Sequence, residues 1–129
     1  MRNTSRDTTT VLVVEDNVDA REVFAFTLRM HGYLPLEAGN GIEALQRLKE
    51  TKVQLILTDF RMPEMDGLQM ASSIKRNPEY VHIPMILLTA TPLADKHAML
   101  KEFEAVLLKP CSVDELLATV DRIAGFAKP

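Results

Sequence analysis

The chain has 129 residues, 47% of them hydrophobic, which favours a single domain able to build its own core. Fifteen basic residues against eighteen acidic ones give a net charge of −3 without a basic cluster, so direct binding of nucleic acid is not expected. No apolar stretch approaches the length of a membrane span, and a single cysteine cannot form an internal disulfide, so we expect a cytoplasmic protein with no membrane partner.

The first half of the chain alternates strand-like and helix-like segments. Residues 1–9 are polar and predict a disordered tail, and the domain is expected over 10–126. A short apolar run at 11–14 predicts a buried strand, a helix follows from Val18 to His31, and Tyr33–Ala38 predicts a second strand. Pro35 removes a backbone donor from that strand, which favours an edge position. A second helix is predicted over 42–49.

The second half repeats this alternation around a central strand at 53–59, whose apolar residues predict burial on both faces. Asp66 and Gly67 open a third helix, with Asp66 as its N-cap. Further segments are predicted as a strand over 83–89, a helix over 92–103, a strand over 105–108 and a last helix capped by Ser112. The predicted inward faces are Val23, Phe24, Thr27 and Leu28; Ile42, Leu45 and Leu48; Leu68, Ala71 and Ile74; and Val113, Leu116, Leu117, Val120 and Ile123.

Five strand–helix repeats predict a doubly wound α/β fold with a five-stranded parallel sheet. Polar residues end or follow four of the strands: Asp16, Asp59, Thr89 and Lys109. Because the carboxyl ends of parallel strands lie at one edge of a sheet, these side chains are expected to converge there. For Asp16 alone, the alternative is that it merely caps the first helix.

Such an edge would crowd Glu15, Asp16 and Asp59, and their mutual repulsion calls for a neutralising cation. Oxygen ligands without His or Cys at metal-binding spacing favour Mg²⁺. An ionised aspartate can serve as a nucleophile without a general base, so a phosphoryl group could be placed on Asp59. Mg²⁺, the Lys109 ammonium and the Thr89 hydroxyl would then compensate its three outer oxygens.

Five ordered motifs carry a resemblance to a known family, over about residues 10–126. They are Glu15-Asp16-Asn17; the segment 38–45; Thr58-Asp59 with 62–68; Leu88-Thr89-Ala90; and Leu108-Lys109-Pro110. Together they resemble the receiver domain of two-component response regulators.

The resemblance implies that Asp59 is the phosphoacceptor for a sensor histidine kinase or a histidine phosphotransfer protein. It implies that Asp16, Asp59 and the backbone carbonyl of Arg61 bind Mg²⁺, with Glu15 acting mostly through water. Lys109 and Thr89 would contact the phosphoryl group, and the bond from Lys109 to Pro110 would be cis. Phosphorylation would switch contacts with an unknown output partner. The protein is therefore expected to be a signalling domain and not an enzyme, and to assist only its own phosphorylation and dephosphorylation.

One departure from the family keeps an alternative open. Receivers usually carry Tyr or Phe three residues before the lysine, and this chain has Val106 there. The alternative is therefore a phosphorylation-independent interaction module of the same fold. A phosphohydrolase of the haloacid-dehalogenase type would need an aspartate where Arg61 stands, and a flavodoxin-like protein would need a phosphate-holding loop where the chain has Glu15-Asp16-Asn17. Arg61 and Thr91 are hypothesised to tune the lifetime of the phosphorylated form.

Overall fold

The structure is a computed structural model that describes residues 5–90 and 101–126. Strands and helices alternate along the chain: β1 Thr10–Val14, α1 Val18–Met30, β2 Leu34–Ala38, α2 Gly41–Glu50, β3 Leu55–Asp59, α3 Gly67–Lys75, β4 Met85–Thr89, β5 Ala105–Leu108 and α4 Val113–Ala124. The five strands pair in parallel in the order β2-β1-β3-β4-β5. The predicted doubly wound sheet is thus confirmed, including the edge position of the strand that contains Pro35.

Apolar side chains on the two faces of the sheet build two core clusters. One joins the sheet to α2 and α3, and the other joins it to α1 and α4. The central strand β3 contributes to both, since Ile56 belongs to the first cluster and Leu55 and Leu57 to the second. Burial of β3 on both faces is as predicted, and it fixes the position of Asp59, the last residue of that strand.

Each of the helices α1 to α4 is preceded by a residue whose side chain accepts a backbone N–H of the first turn: Asn17, Asn40, Asp66 and Ser112. The predicted caps Asp66 and Ser112 are confirmed, and Asp66 forms a reciprocal capping box with Gln69. Asn17 caps α1, so the capping alternative for Asp16 is wrong. The Asp16 carboxylate therefore does not serve as the cap of α1.

Three residues predicted on inward helix faces are exposed instead. Val23, Ile42 and Val113 are 60%, 55% and 56% exposed. The small residues Ala25 and Ala44 are buried in their place, because a small side chain lets a helix approach the sheet closely. Hydrophobic periodicity identified the helices, but it placed the centre of the buried face one or two residues from its position in the structure.

Residues 5–9 belong to the segment predicted as a disordered tail, and in the structure they contact the rest of the domain. Arg6–Thr8 form one turn of 3₁₀-helix, and Thr9 is buried. The Arg6 guanidinium pairs with Asp121 of α4 at 3.0 Å and lies over the ring of Phe126. These contacts tie the segment to the domain, a long-range pairing that its polar composition did not reveal.

Two predictions concern residues that the structure does not describe. Thr91 and most of the helix predicted over 92–103 lie outside the described ranges, although Phe103 is described and is buried in the first core cluster. Within residues 5–90 and 101–126, no helix is long and apolar enough to cross a membrane.

Candidate functional site

Three carboxylates meet at the carboxyl edge of the sheet. β1 and β3 are neighbours, with Val14 opposite Thr58, so the residues that follow them emerge side by side. Glu15 and Asp16 follow β1, and Asp59 ends β3. One carboxylate oxygen from each of the three lies within 4.8 Å of the others.

Lys109 brings a positive charge to the same edge from β5. Its Nζ donates a hydrogen bond to Oε1 of Glu15 at 2.9 Å and lies 3.6 Å from Oδ1 of Asp59. It also lies 5.9 Å from the centre of the Phe24 ring, within the range of a cation–π contact. The Lys109–Pro110 peptide bond is cis, as the resemblance predicted. Glu15, Asp16, Asp59 and Lys109 are called the acid pocket below.

Burial and neighbouring groups shift two pKa values in the acid pocket. Partial burial by itself would lower the pKa of Lys109, but the hydrogen bond to Glu15 and the charges of Asp59 and Glu15 outweigh it and raise that pKa. Lys109 therefore stays an ammonium at neutral pH. Desolvation, followed by the interaction with Glu15, raises the pKa of Asp16.

The two acids that follow β1 have different surroundings. Glu15 is 3% exposed, and both of its oxygens have partners: Oε1 accepts from Lys109 and Oε2 from the backbone N–H of Asn17 at 3.2 Å. Asp16 is exposed. The solvent-facing side of the pocket is therefore formed by Asp16, where a cation can approach.

Asp59 is held by the loop that follows it. Its Oδ1 accepts from the backbone N–H of Phe60 at 2.9 Å, and the Phe60 carbonyl accepts from the N–H of Gly67 at 2.7 Å. A Cβ at Gly67 would lie 2.7 Å from the backbone oxygen of Asp59, a distance that no side chain tolerates. Only glycine fits between the start of α3 and Asp59.

The remaining predicted site residues lie around this group. Thr89 ends β4, next to β3, and is 1% exposed. Arg61 is an exposed residue of the loop between β3 and α3. Val106 is half-buried and packs against the first core cluster, on the sheet face of α2 and α3.

The acid pocket has the chemistry of a site for a hard divalent cation. Its three carboxylates and one ammonium leave two negative charges in excess when all are ionised. The ligand atoms on offer are all carboxylate oxygens, which suit Mg²⁺ and leave room for water and phosphate oxygens. The residues present therefore fit the predicted magnesium ion.

Comparison with known proteins agrees with this arrangement. The sequence matches the family described as "Response regulator receiver domain" over residues 11–121. The chain belongs to the response regulator receiver domain family. The "Polar-differentiation response regulator DivK" of Brucella anthropi is 33% identical over 119 residues, which cover 91% of this receiver domain and 97% of DivK.

Two solved structures share the fold of the receiver domain. The response regulator TrrA of Thermotoga maritima, described as a complex with Mg²⁺-BeF, is 28% identical with a TM-score of 0.82, covering 90% of this chain and 99% of TrrA. The receiver domain of the sensor histidine kinase PA1611 of Pseudomonas aeruginosa, described with magnesium coordinated in its active-site cleft, is 29% identical with a TM-score of 0.82, covering 91% and 98%.

Sequence reasoning missed two residues beside the acid pocket of the receiver domain. Phe24 was predicted only as part of a helix face, but its ring lies beside Lys109. Arg21 was not singled out, although its guanidinium donates to the backbone carbonyl of Glu15 at 2.9 Å. Neither contact could be predicted from the neighbouring sequence, because each depends on how α1 packs against the ends of β1, β2 and β5.

Proposed function

We propose that this receiver domain accepts a phosphoryl group on Asp59 in the presence of Mg²⁺ and then changes its contacts with a partner protein. The observation that carries the proposal is the position of Lys109, whose ammonium meets both Glu15 and Asp59 in a pocket of three carboxylates. Asp59 is mostly buried, with 15% of its side chain exposed, yet it keeps access to the pocket.

In the proposed transfer, a carboxylate oxygen of Asp59 forms a bond to phosphorus. The bond from phosphorus to the imidazole nitrogen of a donor phosphohistidine breaks, and the electron pair leaves on the imidazole. A carboxylate can act as the nucleophile directly, so Asp59 needs no general base. The donor would be a sensor histidine kinase or a histidine phosphotransfer protein, the class of partner with which receiver domains work.

Charge compensation would come from residues of the chain and from the metal. The Lys109 ammonium would bind one outer phosphoryl oxygen, and the Thr89 hydroxyl would approach another. Mg²⁺ bound by Asp16, Asp59 and the Arg61 carbonyl would neutralise the third oxygen and the excess charge of the pocket. The Mg²⁺ complexes described for TrrA and the PA1611 receiver domain support this choice of metal.

We also propose that the unit extends over residues 10–126 and acts in the cytoplasm. Phe126 packs edge-on against Tyr33 and beneath Arg6, which supports a boundary beyond residue 121. Phosphorylation adds charge at the carboxyl edge of the sheet and would alter the surface near β5 and α4. The presence of Val106, where receivers usually carry Tyr or Phe, favours the alternative of a phosphorylation-independent module. The following experiment distinguishes this alternative from the proposal.

The test is incubation with acetyl phosphate and MgCl₂, followed by measurement of the intact mass. The wild-type chain should gain one phosphoryl group, which hydroxylamine should remove because it cleaves acyl phosphates. Asp59→Asn should gain none. Asp66→Asn is the matched control, since asparagine also caps a helix and this acid lies in the adjoining loop. It should be phosphorylated like the wild type.

Absence of a mass increase in the wild-type chain, with acetyl phosphate and with a phosphorylated histidine donor, would refute the proposal in favour of the phosphorylation-independent module. Phosphorylation of Asp59→Asn would also refute it.

A further inference from the structure

Arg21 links the acid pocket to the end of β2. Its Nη1 donates to the backbone carbonyl of Glu15 at 2.9 Å, and its Nε donates to Oε1 of Glu37 at 3.2 Å. The guanidinium also lies against Gly39, where an added Cβ would be 3.2 Å from Nη1. One side chain of α1 therefore joins the segment after β1 to the end of β2.

The carbonyl that Arg21 holds belongs to the peptide group between the two acids that follow β1. The backbone N–H of Glu15 donates to the carbonyl of Ala38 at 3.1 Å, so Glu15 is held from both sides. Rotation of this peptide group would move the Glu15 and Asp16 carboxylates relative to each other. The contact with Arg21 opposes that rotation.

The positive charge of Arg21 is energetically unfavourable at its position in α1 unless nearby groups compensate it. It lies in the fourth position of α1, close to the positive end of the helix dipole, where a cation is unfavourable. Its side chain is 19% exposed, so solvent screens the charge only in part. The carboxylate of Glu37 and the carbonyl of Glu15 compensate this charge.

The neighbours of Glu37 are fixed as well. The backbone carbonyl of Glu37 accepts from Nε of Arg47 at 3.0 Å, and Arg47 pairs with Glu43 at 3.6 Å. Glu43 in turn accepts from the backbone N–H of Gly39 at 3.1 Å. Arg21 is therefore anchored to a segment that α2 holds in place, and it can transmit that rigidity to the acid pocket.

We propose that Arg21 is a positioning residue that fixes the peptide group between Glu15 and Asp16 and thereby sets the affinity of the acid pocket for Mg²⁺. The inference rests on the proposed function, because it assumes that this pocket binds the ion. Groups that orient metal ligands typically contribute ten- to a hundredfold to affinity, and the contact here is to the backbone. We expect about a tenfold effect, at the low end of that range.

A purely electrostatic role predicts the opposite sign. Removal of the Arg21 charge would make the surroundings of the pocket more negative and tighten Mg²⁺ binding. Loss of the positioning contact would weaken it. The direction of the change in affinity therefore separates the two explanations.

The experiment is calorimetric titration of MgCl₂ into the full chain and its variants. Arg21→Ala should weaken binding about tenfold. Arg29→Ala is the matched control, because Arg29 lies on the last turn of the same helix, exposed and away from Glu15, and its removal costs the same charge. That variant should bind as tightly as the wild type or slightly more tightly.

A second variant keeps the charge and changes only the geometry. Gly39→Ala would displace the flexible end of Arg21 by a few tenths of an ångström, and Gly39 has no left-handed backbone that alanine would strain. It should weaken Mg²⁺ binding by less than Arg21→Ala does. In the metal-free state, the amide resonances of Asp16 and Asn17 should shift in both variants and stay unchanged in Arg29→Ala.

Equal affinity of the wild type, Arg21→Ala and Gly39→Ala would overturn the inference and leave the metal site standing. Tighter binding by Arg21→Ala would overturn it in favour of the electrostatic role. Should Arg21→Ala fail to fold, Gly39→Ala decides. A wild-type chain that binds no Mg²⁺ would overturn both this inference and the metal site of the proposed function.

Discussion

Two groups of charged side chains lie at opposite edges of the sheet and differ in their balance of charge. At the carboxyl edge, the acid pocket surrounds one ammonium with three carboxylates. At the other edge, Asp121 near the end of α4 is surrounded by Arg6, His31 and Tyr33, here called the Asp121 cluster. Arg6 precedes β1 and Tyr33 precedes β2, which places this cluster at the amino ends of the strands.

The difference shows what each group can do. Each carboxylate oxygen of Asp121 accepts two hydrogen bonds, so the hydrogen-bonding capacity of this side chain is fully used. Partial burial would raise the pKa of Asp121, but hydrogen bonds from Arg6, Tyr33 and His31 hold it well below its ordinary value. The pKa of Asp16 is instead raised. A charge-balanced cluster stabilises the fold, whereas an unbalanced one is left able to bind a cation.

The largest expected effect is loss of stability when the Asp121 cluster is broken. Asp121→Ala removes the acceptor of Arg6, Tyr33 and His31, and we expect the free energy of unfolding to fall by about 2 kcal/mol, allowing for the partial exposure of Arg6. Urea unfolding at pH 7 measures it. Asp114→Ala, an exposed acid at the start of the same helix, should cost less than half as much. Equal losses would mean that the cluster has no special role.

The same cluster should impose a pH dependence at low pH. Because the pKa of Asp121 is lower in the folded than in the unfolded state, the unfolded state binds the proton first as the pH falls. The contribution of Asp121 is therefore complete above its unfolded pKa of about 4 and is lost as the pH falls toward the folded value. The difference in stability between the wild type and Asp121→Asn should shrink below about pH 4. A difference that stays constant from neutral pH down to about pH 3, below the unfolded pKa, would contradict this.

A steric change can perturb the acid pocket without altering its charge. In Gly67→Ala, the new Cβ would meet the backbone oxygen of Asp59 at 2.7 Å, so we expect a loss of about 1–2 kcal/mol in the free energy of unfolding and slower phosphorylation by acetyl phosphate. Gly41→Ala is the matched control, as it is also the first residue of a helix and has an equally short contact of 2.7 Å, but with the flexible Met65 side chain. It should be milder in both measurements. Similar effects of the two variants would show that the fixed backbone of Asp59 is not what matters.

The smallest expected effect is a gain in stability when charge is removed from the acid pocket. Asp16→Asn should raise the free energy of unfolding without divalent cations by up to about 1 kcal/mol, because it relieves repulsion by Glu15 and Asp59. Saturating Mg²⁺ should stabilise the wild type more than this variant. Asp19→Asn, which removes an exposed acid from the first turn of α1, should slightly destabilise instead. A destabilised Asp16→Asn would contradict the charge imbalance inferred here.

Much of the fold and part of the site could be predicted because their signals are local. The apolar run at 53–59 predicted a strand buried on both faces, and Asp59 falls at its end in the structure. Asp66 and Ser112 were recognised as helix caps because capping depends on a few consecutive residues. The exposure of Val23, Ile42 and Val113 was not predicted, since periodicity alone does not say which part of a wide apolar stripe meets the sheet.

The sequence by itself determined the order of strands and helices and the polar residues at the strand ends, because hydrophobic periodicity and helix caps act over short distances. The tertiary structure decided which charges meet. It joined Arg6 to Asp121, although they are 115 positions apart, and Arg21 to the carbonyl that follows β1. Such pairings depend on how helices pack on the sheet, and the geometry of that packing is set by side-chain volumes summed over the whole core.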